Sequence, residues 1–202
     1  MAKSRIVEKR EQLKEQIIRG AIEALIETGL ASVTTRKIAE KADVNLATLH
    51  YYFENKDALL IGALEMIIAE MSNALSADVS QQRDINTCID NVISNSWKLI
   101  LQTRDIQILQ YELTLYTIRN PKTLSLAKFQ YDSYCKLYEN AFQHVLSKKK
   151  QVSKIDIAEL VRFVVAGMDG IILQHLVGTE EAISSRSIKQ LIKAAQALVA
   201  GK

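Results

Sequence analysis

One proline, Pro121, and seven glycines punctuate all 202 residues. An average chain of this length carries roughly 10 and 14. Sheet-rich folds turn every few residues and draw heavily on both types. A chain this poor in them folds as long helices joined by brief links. Spacing agrees: Leu13, Ile17, Ile18, Ala21, Leu25 and Ile26 recur at three- and four-residue steps, the period of one buried helix face. The fold class expected is therefore all-α, with about nine helices.

The first helix is predicted over about 8–28 and stopped by Gly29, which is free to turn left-handed. Thr34 caps a helix over about 35–42, and Asn45 caps a short one over about 46–52. Asn55 then opens a helix from Lys56 to about residue 75. After the polar run Ser76–Asp84, further helices are expected over about 85–102, 106–119, 122–148, 155–177 and 184–200. Asn120-Pro121 separates two of them, the cations Lys148-Lys149-Lys150 suit a helix C-terminus, and Gly178 ends another. The expected domains are a helix-turn-helix module over 1–54 and a larger helical domain over 55–202.

Charge says little. The net charge is +3, and residues 1–60 hold ten basic against nine acidic side chains. No apolar run approaches the roughly 18 residues of a membrane span, and the N-terminus lacks the pattern of a signal peptide. Two cysteines, Cys88 and Cys135, make neither a disulfide framework nor a zinc site, so a reducing cytoplasm is expected, with no membrane partner. Neither HExxH, CxxC nor a Glu-x-x-His cluster occurs. No catalytic residue, metal or cofactor is expected.

The informative stretch is Thr34–Phe53. Two short helices crossing steeply need a small residue where they approach, a left-handed residue at the turn, and an apolar plug beyond it. Ala39, Asp43 and Leu49 fill those places, with Ile38 and Val44 beside the plug. Leu46, Ala47, Thr48, His50 and Tyr51 then project from the second helix as candidates for the DNA face. Thr48 and His50 can reach base edges, and Leu46 or Ala47 a thymine methyl. Tyr51 and Lys56 suit phosphate, as do Thr35, Arg36 and Lys37 at the entry of the preceding helix. Lys3 and Arg5 could extend this surface as an N-terminal arm.

This stretch resembles the TetR family of bacterial repressors. Thr34, Ile38, Ala39, Ala42, Val44, Thr48, Leu49, Tyr52, Phe53, Lys56 and Leu59 meet its motif. Upstream, Ile18, Ala21, Leu25 and Gly29 look like its first helix. Asp43, Asn45, Ala47 and His50 depart from it, standing where the family has Gly, Ser, Gly and Tyr. The resemblance implies a DNA-binding regulator whose larger domain dimerises and binds an effector.

The residues add support. Broad apolar stripes on the last two helices, with Gly167 and Gly170 nearby, suit a two-fold bundle through Val164, Gly167, Ile171, His175, Leu191, Ala195 and Leu198. Packing of the same stripes inside one chain is the alternative. Trp97, Tyr111, Glu112, Tyr116, Phe129, Phe163 and Met168, with Leu101, Leu109 and Tyr134, lie on helices that would surround an apolar or aromatic effector. The expectation is a repressor on a palindromic double-stranded operator, released by such a molecule. The alternative is a helix-turn-helix regulator with no small-molecule effector, controlled by a protein partner or by its abundance.

Overall fold

The computed structural model describes residues 2–76, 83–150 and 152–201. These residues form nine helices and no strand: α1 (Ala2–Thr28), α2 (Thr35–Lys41), α3 (Leu46–Tyr52), α4 (Lys56–Ser76), α5 (Ile85–Gln102), α6 (Arg104–Arg119), α7 (Leu124–Lys149), α8 (Ile157–Leu176) and α9 (Glu181–Ala200). None is long and apolar enough to cross a membrane. Most of the expected run Ser76–Asp84 lies outside the described residues.

Capping chemistry explains most boundaries. Thr34 accepts a hydrogen bond from the Lys37 amide, Asn45 from Thr48, Asn55 from Ala58 and Asp84 from Thr87, at 2.7–3.2 Å. Each satisfies an amide that the first helical turn leaves unpaired. Gly29 and Gly178 stop α1 and α8 at φ +72° and +106°. Three expectations shift. The backbone of α1 is helical from Ala2, where an arm was expected, and the side chains of Lys3 and Arg5 lie outside the described residues. Pro121 opens a turn rather than α7, because Thr123 spends its hydroxyl on the carbonyls of Thr117 and Asn120. Finally, α9 begins three residues before the expected start, at Glu181.

Two compact units result. The first runs to Ala69 and takes in Asp105–Ala127; the second takes Glu70–Arg104 and everything from Lys128 onward. The first therefore extends past the 54/55 boundary expected from the motif. Its core joins Ile17, Leu25, Ile38 and Leu49 with Leu59, Leu64 and Ile67 of α4. Polar ties close it: Tyr116 donates to Asp57 at 2.6 Å, and the Leu30 peptide lies between Glu112 and Lys56. The core of the second unit is Ile89, Ile93, Phe142, Leu160, Val164 and Ala195, with α9 packed on both α8 and α5.

A candidate DNA-reading head and effector domain

The turn between α2 and α3 is built as its sequence demands. Asp43 adopts φ +51°. Its amide donates to the Glu40 carbonyl at 3.1 Å, and the Val44 amide to Ala39 at 3.0 Å. That pair of bonds is the Schellman stop, which consumes carbonyls α2 would otherwise leave unpaired. A left-handed aspartate costs more than glycine, but these bonds hold it. Leu49 is fully buried and Phe53 nearly so, while Val44 is only half-buried.

Glycine matters most where the motif is silent. A Cβ on Gly20 of α1 would stand 2.5 Å from the Ala42 nitrogen and 2.7 Å from its Cα. So α1 crosses the turn in backbone contact, and Gln16 Nε2 donates across the crossing to the Ala42 carbonyl at 2.7 Å. An approach this close fixes the angle at which α3 is presented.

On α3, Ala47, His50 and Tyr51 are exposed, whereas Leu46 and Thr48 are half-buried. Tyr51 is 70% exposed, with its ring edge-on to Tyr52 at 5.2 Å. The Arg10 guanidinium lies over that ring, 5.7 Å from its centre. Arg10 thus joins the surface from α1, a residue that no motif marks. On α2, Arg36 is exposed and Thr35 half-buried. Lys37 is shared between Glu27 and Glu40 at 3.5 and 3.6 Å, and Lys41 binds Glu27 at 2.6 Å. The Lys41 hydrogen bond, followed by the charges around it, holds the Glu27 carboxyl below the usual range. Lys56 donates to the Leu30 carbonyl at 3.1 Å, so one of its three donors is already committed inside the unit.

The effector candidates separate between the units. Tyr111, Glu112 and Tyr116 belong to the first, where Glu112 accepts from the Leu30 amide at 3.4 Å. The cleft beside it, lined by Leu25, Ile26, Gly29, Ile108 and Leu109, holds about 100 Å3. That is small beside the roughly 300–1,000 Å3 of ligand pockets. Trp97, Phe129, Phe163 and Met168 belong to the second unit. Trp97 and Met168 are buried, whereas Phe129 and Phe163 are 51% and 41% exposed. The Trp97 ring NH donates to Ser185 at 3.2 Å. Sequence reasoning passed over the buried polar stripe of α6: Gln107, Gln110, Thr114 and Thr117. Within it Gln110 Oε1 has no hydrogen-bond partner. The signal was present as a three- and four-residue polar spacing on a helix that must bury one side.

Of the seven interface candidates, Val164, Leu191 and Ala195 are buried within the chain. Gly167 admits the Leu191 side chain, which a Cβ would meet at 2.6 Å. Ile171, His175 and Leu198 are half-buried, and His175 Nδ1 pairs with the Ser184 hydroxyl at 3.3 Å. The Gly167–Leu191 approach serves the α8–α9 contact itself. The outer side of α8 is another set: Phe163, Ala166, Gly170, Leu173 and Val177 are all exposed. Gly170 meets nothing within 4 Å, so it is open rather than closely packed.

Both Cys88 and Cys135 are free thiols, and burial raises each above its usual value, Cys88 to about 11. Thiols held protonated in this way are poor nucleophiles.

Comparison with known proteins places this geometry. Residues 17–63 match the family described as "Bacterial regulatory proteins, tetR family". A nicotine-responsive transcriptional repressor of Paenarthrobacter nicotinovorans is 26% identical over 80% of this chain and 82% of its own. The class A tetracycline repressor of Escherichia coli is 43% identical over 27% of this chain and 25% of its own. In fold, the chain resembles the Bacillus subtilis regulator FadR bound to stearoyl-CoA, with TM-score 0.73, 18% identity, and coverage of 88% and 97%. It also resembles the multidrug binding protein EbrR bound to ethidium, with TM-score 0.68, 22% identity, and coverage of 90% and 97%. The two sequence relatives are named as repressors, and FadR as a transcriptional regulator. The turn between α2 and α3 lies inside the segment that matches this family, and the chain as a whole is similar to TetR-family regulators in sequence and in its all-helical fold.

Proposed function

We propose that the chain is a homodimeric repressor which reads a palindromic double-stranded operator and releases it on binding a small apolar or aromatic effector. The observation that carries this reading is the exposed tip of α3, where Ala47, His50 and Tyr51 face outward beside Arg10. An α-helix so presented fits the major groove, with small residues at its tip allowing close backbone approach. Thr48 and His50 read bases. Leu46 and Ala47 offer apolar contact to thymine. Thr35, Arg36, Lys37, Tyr51 and Lys56 position the head on phosphates, and Arg10 extends that set.

Dimerisation supports the operator's symmetry. Phe163, Ala166, Gly170, Leu173 and Val177 step by 3, 4, 3 and 4 along α8, the spacing of a helix–helix seam. A second copy of the same face closes it by two-fold symmetry. The seam thus shifts outward from the stripes expected in the sequence. Regulation by an effector draws on the relatives, one of which is named for its response to nicotine and another solved with ethidium. The compartment proposed is the cytoplasm.

Footprinting on DNA upstream of the protein's own coding sequence tests this. Protection with two-fold symmetry and half-sites about one helical turn apart is expected. Tyr51→Ala and Lys56→Ala should weaken binding on every sequence, whereas Thr48 and His50 substitutions should change the preferred operator. No binding at low salt, or equal losses on all sequences for all four, would overturn the assignment.

A further inference from the structure

The second unit carries a polar cluster that helix packing alone does not account for. On the inner side of α7, the Tyr138 hydroxyl donates to Ser96 at 2.8 Å. Tyr131 hydrogen-bonds the Asp169 carboxylate of α8. Tyr134 stands edge-on to Tyr131 with ring centres 6.4 Å apart, and its hydroxyl is buried beside the Gln130 side chain. Asp169 is half-buried on α8, and its negative charge reaches Tyr131, Tyr134, Tyr138 and the Cys135 thiol. Burial first, and this charge after it, push the Tyr131 and Tyr138 phenols up to about 12. All three tyrosines therefore stay neutral, as rings and hydroxyl dipoles around one carboxylate. Arg162, whose charge also reaches the Cys135 thiol, is 70% exposed and reaches Asp132 at 3.8 Å.

A carboxylate set among aromatic rings selects for charge sign. Ring faces are electron-rich and attract cations, more strongly where water is excluded. The same carboxylate repels anions. We propose that the seam between α7 and α8 is a binding site for a lipophilic organic cation, whose charge sits against Asp169 and the rings of Tyr131 and Tyr134. This rests on the reading of the chain as an effector-responsive regulator, and it names the chemical class of effector.

The test uses the full chain without DNA. Ethidium, a quaternary aromatic cation, is titrated by its fluorescence, and Nile red serves as a neutral dye. Asp169→Asn should weaken ethidium binding at least tenfold and leave Nile red within twofold. Tyr134→Leu should weaken ethidium several-fold. A second measurement needs no variant. Benzyltrimethylammonium should displace ethidium from the unaltered protein at least tenfold better than neopentylbenzene, its neutral isostere. Equal displacement by the two, an unchanged ethidium affinity in Asp169→Asn, equal loss of both dyes, or dissociation of the dimer in that variant would each overturn the proposal. Release of operator DNA by neutral compounds alone would refute the cation site and leave the regulator reading standing. Cation binding with no effect on DNA would do the reverse.

Discussion

Gly20→Ala separates local helix preference from tertiary contact more sharply than any other single change in this chain. In the interior of α1, alanine should stabilise the helix by about 0.5–1 kcal/mol relative to glycine. Against that, the new Cβ would stand 2.5 Å from the Ala42 nitrogen, 2.6 Å from its Cβ and 2.7 Å from its Cα. Two of these are backbone atoms of the turn, held by the Ala42–Ile38 and Asp43–Glu40 bonds, so no rotamer change relieves the overlap. Overpacking of this kind costs about 1–3 kcal/mol. Moving α1 away also strains the 2.7 Å bond from Gln16 to the Ala42 carbonyl, worth about 1 kcal/mol. The net expectation is a loss of about 1–3 kcal/mol, and a Tm lower by roughly 2–4 °C for each kcal/mol. Thermal unfolding followed by circular dichroism at fixed protein concentration reads this directly. Gly62→Ala is the control: its Cβ would meet side-chain atoms alone, Ile18 Cδ1 at 3.2 Å, Ile18 Cγ1 at 3.3 Å and Phe53 Cε1 at 3.6 Å, so it should cost clearly less than Gly20→Ala. If Gly20→Ala matched or exceeded the parent in stability, propensity would outweigh the crossing and the reasoning would fail.

Further expectations concern the other buried or exposed anomalies. Gln110→Leu removes an acceptor with no partner and should raise stability by about 1 kcal/mol, read as a higher urea midpoint. Leu173→Glu places a charge in the exposed α8 stripe; sedimentation should show a dimer becoming a monomer, with helix content retained. Asp84→Ala removes the α5 cap and should cost about 1 kcal/mol at pH 7. The Thr87 amide, and after it the Thr87 hydroxyl, hold the Asp84 carboxyl below its usual value. That contribution is therefore present above the unfolded carboxyl's pKa and lost as pH falls through the folded one. Urea midpoints of parent and variant should converge as the pH falls below the ordinary carboxyl range.

Much of the reading head was legible because its constraints are local. Thr34, Asn45, Gly29 and Asp43 act on amides and carbonyls within five residues of themselves, so their effect shows in the order of residues. Gly20 was not legible, since its reason lies in Ala42, 22 positions on, and a glycine inside a helix carries no local mark of contact. Arg10 escaped for the same reason. In the second unit, the stripes of α8 and α9 gave helices and buried faces correctly but could not divide each face between its own chain and another. Val164 and Leu173 are equally apolar in sequence, and only the placement of α9 decides that the first is buried and the second exposed. The effector candidates were the least legible, because aromatic residues are as good at filling a core as at lining a site.

The Leu30 peptide has a consequence for how the reading head can be observed. Its amide proton faces the Glu112 carboxylate on α6, and its carbonyl oxygen faces the Lys56 ammonium on α4. The two peptide groups that flank the Leu30 Cα are thus each held by a charge, of opposite sign, carried on a different helix. Loop amides ordinarily exchange with solvent quickly, but this one should exchange slowly while α6 stays where it is. Deuterium uptake at Leu30 therefore serves as a gauge of α6, reporting its position from within the first unit without any label attached.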